Sequence, residues 1–308
     1  MDYRNSIDTS LRNSQNVSIL NTRVTNIENR INQLSSTQLS EEVFDILNDL
    51  AKNGQNPFKD KWVSILGDSI STYEGWVPEG NATEYPSQDV TDVTKTWWHK
   101  LLTRLGAKLC VNQSWNGRKV ADTDSGDDHP SCVKNATNKL HREVGTTYIN
   151  LDGTTEIATK RQDPDIILIL VGINDFNEQI PKGSPTLEDS QEYSDSDFAQ
   201  SYEAMLMNIT GYNYKTAKIY CLNITFASNI FGFLTNNGSG ASKLYQYRDT
   251  IEELASAYEC NVIHVNRLGI HSGNIERFFS SDKLHPNAKM MEMIANQCYT
   301  EMMASNCL

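Results

Sequence analysis

The chain has no run of 18 apolar residues, no basic stripe and no Cys-x-x-Cys pair. The first absence excludes a hydrophobic helix long enough to cross a bilayer, and the polar start Met1-Asp2-Tyr3-Arg4-Asn5 does not read as a secretory leader. The second excludes the clustered Lys and Arg that phosphate contacts require, since 27 Lys+Arg stand against 39 Asp+Glu and the net charge is −12. Nucleic acid and membrane therefore drop out as expected partners. The six cysteines (110, 132, 221, 260, 298 and 307) are dispersed, and no Cys/His group has zinc spacing. Cys110, Cys221 and Cys260 fall in or beside strand-like segments, where a free thiol behaves as a small buried apolar residue. Reduced thiols, synthesis in a reducing cytosol without a signal peptide, and no metal or cofactor are the expectations.

What is present is enough chain, 308 residues, for one large domain with an appendage. The appendage comes first. Val17, Leu20, Val24, Ile27, Ile31 and Leu34 are spaced as a and d positions of a heptad, with Asn, Thr, Arg, Glu and Gln between them. So narrow a stripe predicts self-association of residues 17–34 rather than packing of a lone helix on a globular face. β-Branched residues at a with mixed Leu and Ile at d admit dimer and trimer, and Ile at both Ile27 (d) and Ile31 (a) tilts toward three strands. Residues 1–37 read as a coiled-coil stalk, and residues 38–58 as a short helix capped by Ser40 and then a linker through Asn53-Gly54-Gln55-Asn56-Pro57.

From residue 59 to residue 308 strands and helices alternate. Helix patterns fall on 97–105, closed by Gly106, on 198–209, on 243–258, and on a terminal Met-rich segment with Pro286 at its first turn. Strand patterns fall on 62–67, 107–111, 165–171, 218–225 and 261–265, and an Asp152-Gly153 turn between β-rich flanks predicts a hairpin over 147–159. Asp122, Asp124, Asp127, Asp128 and His129 make an acidic loop, and 177–197 an exposed acidic insertion. The alternation predicts a three-layer α/β/α sandwich with a mainly parallel sheet, flavodoxin-like.

Four short blocks sit where these strands end or the last helix begins. They are Gly67-Asp68-Ser69, then Asn112-Gln113-Ser114-Trp115-Asn116-Gly117, then Gly172-Ile173-Asn174-Asp175, and finally Asp282-Lys283-Leu284-His285-Pro286. In open α/β sheets ligands bind outside the carboxyl ends of strands, which is where the first three fall. The ordered set resembles the SGNH (GDSL-type) hydrolase family, whose marker residues match Ser69, Gly117, Asn174 and His285. The resemblance covers about residues 59–308 and implies the same sandwich with five core strands.

The resemblance also implies a serine esterase. Ser69 would be the nucleophile, with His285 as the base that takes its proton and Asp282 as acceptor for the other imidazole N–H. The backbone N–H groups of Ser69 and Gly117 and the Asn174 amide would form the oxyanion hole. Asp68 and Asp175 would hold the turns, and Ser71 is a second hydroxyl nearby. The insertions read as polar rather than as an apolar lid, and Tyr73, Trp76, Tyr85 and Trp115 could stack on sugar rings. Removal of short O-acyl groups, acetyl first, from a carbohydrate is therefore the expected activity. The stalk ahead of such a domain looks like phage tail-fibre or baseplate proteins, so a virion setting and further tail-protein partners are expected. A glycan-binding adhesin with incidental turnover and a general short-chain esterase or thioesterase are the alternatives.

Overall fold

The computed structural model describes residues 56–122, 131–132, 137–187, 196–225, 243–271 and 273–305. The expected stalk at 17–34, the helix after Ser40, most of the acidic loop, residues 188–195 of the insertion and Cys307 lie outside the described residues. The described residues belong to one compact unit, Asn56–Leu308.

Its centre is a five-stranded sheet of β1 (Trp62–Gly67), β2 (Lys108–Asn112), β5 (Ile166–Leu170), β6 (Lys218–Leu222) and β7 (Asn261–Ile263), in the order β2-β1-β5-β6-β7. Every neighbouring pair is parallel. A parallel sheet is covered on both faces, which is why central β5 is Ile-Ile-Leu-Ile-Leu and buried throughout. On one face, α1 (Trp97–Leu105) packs on α5 (Ala288–Ala304), joined by Arg104 to Asn296 at 2.7 Å and to Glu292. The other layer is α3 (Phe198–Met207) against α4 (Leu244–Ala257), where the rings of Phe198, Tyr202 and Tyr247 meet at 4.9–5.5 Å together with Phe176 from the short α2 (Ile173–Asn177). Helix, sheet and helix give the expected three layers. The hairpin β3 (Thr147–Ile149) and β4 (Thr155–Ile157) also forms, with Gly153 at its turn.

Several boundaries differ from the expected ones. β6 and β7 stop at Leu222 and Ile263, before the expected 225 and 265, and α3 ends at Met207 in a π-turn over 208–213. Pro286 does not open the last helix. Asn287 is the N-cap and accepts from Met290 N–H at 3.1 Å, while Pro286 bridges to Phe279 in the preceding loop. An Asn followed by Ala suits the cap better than proline suits the first turn, because the Asn oxygen satisfies an orphan N–H. Among the described residues five cysteines are free and none is disulfide-bonded.

Candidate active site

The carboxyl ends of β1, β2 and β5 hold the first three sequence blocks side by side. β1 runs into a single 3-10 turn, Ser69–Ser71, whose cap Asp68 accepts from Ile70 N–H at 3.0 Å. Gly67 before it allows close approach, since a Cβ there would lie 2.6 Å from the Ser114 and Ser71 side chains. At the end of β2, Asn112 ties the following loop to the turn, donating to the Ser71 carbonyl at 2.9 Å and accepting from Ser114. Gly117 then takes φ 79°, which glycine alone adopts freely. After β5, the buried Asn174 amide donates to the Arg118 carbonyl at 2.9 Å.

The fourth block comes from the other side. Asp282 Oδ1 accepts the N–H groups of Leu284 and His285 at 2.8 and 3.0 Å, which curls 282–285 into a tight loop. His285 is aimed by that loop: Nδ1 lies 2.6 Å from Asp282 Oδ2 and Nε2 lies 2.9 Å from Ser69 Oγ. With the Nδ1 proton directed at the carboxylate, Nε2 is free to accept the serine proton. The N–H groups of Ser69 and Gly117 make no hydrogen bond among the described residues, so both remain available as donors.

Burial sets the acid–base character of the neighbours. It pushes Asp68 up to about 7 against the opposing pull of Ile70 N–H and His285, and Asp175 up to about 6 although Ala121 and Val120 N–H groups bind it. Partial burial acts the same way on Asp282, but the two N–H groups and the imidazole outweigh it and hold it below its ordinary value. Ser71 is engaged elsewhere, its Oγ accepting from Trp97 Nε1 at 3.1 Å.

Of the aromatic candidates, Tyr85 is core: it is buried and its hydroxyl donates to the Pro286 carbonyl at 2.8 Å. Tyr73 is half-buried, and Trp115 is half-buried beneath the Arg118 guanidinium at 5.9 Å. Trp76 packs on the Trp98 and His99 rings at 5.7 and 5.8 Å and lines an open cavity of about 700 Å³ along the outer edge of β2. Tyr148, Lys139, His141, Asn112 and Gln113 line it too, whereas Ser69, Gly117, Asn174 and His285 do not; Asn112 links its wall to the Ser69–Ser71 turn through the bond to the Ser71 carbonyl.

Sequence patterns did not point to Glu84. Its Oε1 lies 3.7 Å from His285 Nδ1, on the loop between the Ser69 turn and α1. Glu84, Asp282 and His285 are the one group among the described residues whose donor atoms, all within 4.8 Å of each other, could hold a metal. Because Nδ1 already faces Asp282 Oδ2 at 2.6 Å, a metal would have to displace that hydrogen bond.

The model of the GDSL-like lipase/acylhydrolase family matches residues 61–302. The chain belongs to this family. It is an ester hydrolase. Among solved structures, it is similar to a GDSL-like lipase from Bacteroides ovatus ATCC 8483, at 24% identity, a TM-score of 0.56, and coverage of 79% of this chain and 98% of the other. It is likewise similar to one from Bacteroides uniformis ATCC 8492, at 23% identity and a TM-score of 0.55, with 79% and 95% covered. At these identities the likeness speaks for the GDSL-like fold. No curated protein matches the chain.

Proposed function

We propose that the protein removes short O-acyl groups, acetyl first, from a carbohydrate, with Ser69 as nucleophile, His285 as base and Asp282 as the residue that orients it. The observation that carries this reading is the relay Asp282–His285–Ser69, at 2.6 and 2.9 Å. Ser69 Oγ attacks the ester carbonyl while Nε2 takes its proton. The oxyanion that forms is held by the N–H groups of Ser69 and Gly117 and the second amide hydrogen of Asn174. The imidazolium returns the proton to the departing sugar oxygen, leaving Ser69 acylated. Water activated by the same Nε2 then releases the acid and restores the serine.

The carbohydrate part of the reading is supported by the cavity edged by Trp76 and Tyr148, which pairs aromatic faces with Gln113 and Lys139 as hydrogen-bonding groups. Exposed large apolar residues are scattered (Val144, Ile157, Leu187, Tyr212 and Tyr245), so no apolar lid is built among the described residues. The heptad of residues 17–34 supports a stalk that joins copies of the chain, and with it the tail-fibre setting. Purified protein should release acetate from acetylated polysaccharides faster than acid from thioesters. Equal rates on every short ester, with no gain on the polysaccharide, would point to a general short-chain esterase.

A further inference from the structure

We propose that Glu84 is a second positioning carboxylate for His285, sharing the task of Asp282 and taking it over when Asp282 is lost. This rests on the reading of Ser69 and His285 as nucleophile and base. Two carboxylates face one ring nitrogen: Asp282 Oδ2 at 2.6 Å and Glu84 Oε1 at 3.7 Å. Their shielding runs opposite to their distance. The Asp282 side chain is 41% exposed and that of Glu84 is 21% exposed, so the farther charge is the less screened.

Glu84 is also held in place. Its N–H donates to Thr72 Oγ1 at 2.8 Å, and the Thr72 hydroxyl donates to the Ser69 carbonyl at 2.8 Å, so the loop hangs from the nucleophile turn. The Ser87 hydroxyl donates to Glu84 Oε1 at 3.2 Å. Next in sequence, the Tyr85 hydroxyl grips the Pro286 carbonyl, and Asp89 accepts from Ala288 N–H at 2.9 Å. The loop is thus pinned to the residues on either side of the gap between Ser69 and His285. Glu84 approaches the imidazole edge from the loop before α1, and Asp282 from the loop before α5. Buried Asp68, at the end of β1, is pushed up to about 7 and so adds little charge over the acid limb. When His285 takes the serine proton, both carboxylates stabilise the imidazolium.

The test compares wild type, Glu84→Gln, Asp282→Ala and the double variant on p-nitrophenyl acetate across pH, with Ser69→Ala as the control. Glu84→Gln keeps an acceptor for Ser87 and removes only the charge. Alone it should lower kcat/KM about 5- to 20-fold through kcat, and move the acid limb of the pH profile to lower pH. Asp282→Ala should fall well short of the roughly 10⁴-fold loss seen when a lone triad carboxylate is neutralised. In that background Glu84→Gln should cost at least about 100-fold more. If Asp282→Ala does not fold, Asp282→Asn keeps the loop acceptors and replaces it. The same small factor for Glu84→Gln in both backgrounds, or an unmoved acid limb, overturns the proposal. Activity surviving in Ser69→Ala would instead overturn the nucleophile assignment beneath it.

Discussion

His285 Nε2 stands 2.9 Å from Ser69 Oγ although 216 residues separate them in the chain. Neither residue's own element makes the contact. β1 delivers the serine at the carboxyl end of the sheet, and the 282–285 loop, fixed by N–H groups that donate to Asp282 Oδ1, delivers the imidazole from beside α5. Replacing either partner should therefore stop the chemistry without unfolding the core. Ser69→Ala and His285→Ala should each lower kcat at least about 10³-fold, and the double variant should be little worse than either, because residues that act as a unit are not additive. Burst kinetics and melting curves measured together check this. Independent, multiplying losses would mean the two do not act on one proton.

Asn174→Ala tests the oxyanion hole separately. Losing one preplaced donor costs about 10²–10³ in kcat. The Arg118 carbonyl also loses its 2.9 Å partner, so a modest fall in melting temperature should accompany it. A fall in stability with unchanged kcat would reduce Asn174 to a structural role.

The residues of the relay were legible because each belongs to a short local pattern: a strand ending in Gly67-Asp68-Ser69, and Asp282 three residues before His285. The five strands were legible for a similar reason, since apolar runs such as Ile166–Leu170 have few other places to go. Glu84 was not. It sits in a polar loop without period, and what brings it to His285 is a set of long-range bonds, Tyr85 to Pro286 and Asp89 to Ala288, which no spacing announces. The same bonds make Tyr85 the core member of the four loop aromatics, which sequence alone does not tell from the other three. The helix starts two residues after Pro286, at Ala288, because Pro and Asn compete for the start of a helix and Asn287 holds the cap.

Asp68 makes stability depend on pH. Its ordinary value is 3.8 and burial raises it to about 7, so between those values the folded chain keeps a proton that the unfolded chain has lost. Stability from this group is greatest below about pH 4 and falls as pH rises toward 7. Asp68→Asn keeps an oxygen for Ile70 N–H and never ionises. Its melting temperature relative to wild type should climb from pH 4.5 to 8 and then level off. A constant difference across that range would mean Asp68 is ionised at little cost in the fold. Asp175, raised to about 6, acts in the same direction and remains in both proteins.

Acyl-chain length separates the deacetylase reading from a lipase. Activity on p-nitrophenyl esters should fall steeply from acetyl and butyryl to octanoyl. A profile rising with length would direct attention to Phe226, Ile230, Phe231, Phe233 and Leu234, an apolar stretch soon after β6 that stands apart from the polar insertions.

The stalk can be tested apart from the chemistry, because the unit Asn56–Leu308 contains every residue placed in the site. Six consecutive a and d positions of 17–34 are apolar, and none carries the Asn or Lys that often selects a two-stranded pairing. Ile27 and Ile31 favour three strands, while Val17 and Val24 at a with Leu20 and Leu34 at d are compatible with two. Helices of this length are marginal alone, so association should be concentration-dependent. Light scattering on the full chain at micromolar concentration should therefore give an oligomer, a trimer ahead of a dimer, and deletion of residues 1–37 should give a monomer. Hydrolysis of p-nitrophenyl acetate should survive that deletion within about twofold, since no catalytic group is removed. A monomeric full chain would sink the stalk. Loss of small-ester activity on truncation would mean instead that the heptad face packs on the catalytic unit, and that its narrow stripe was misread.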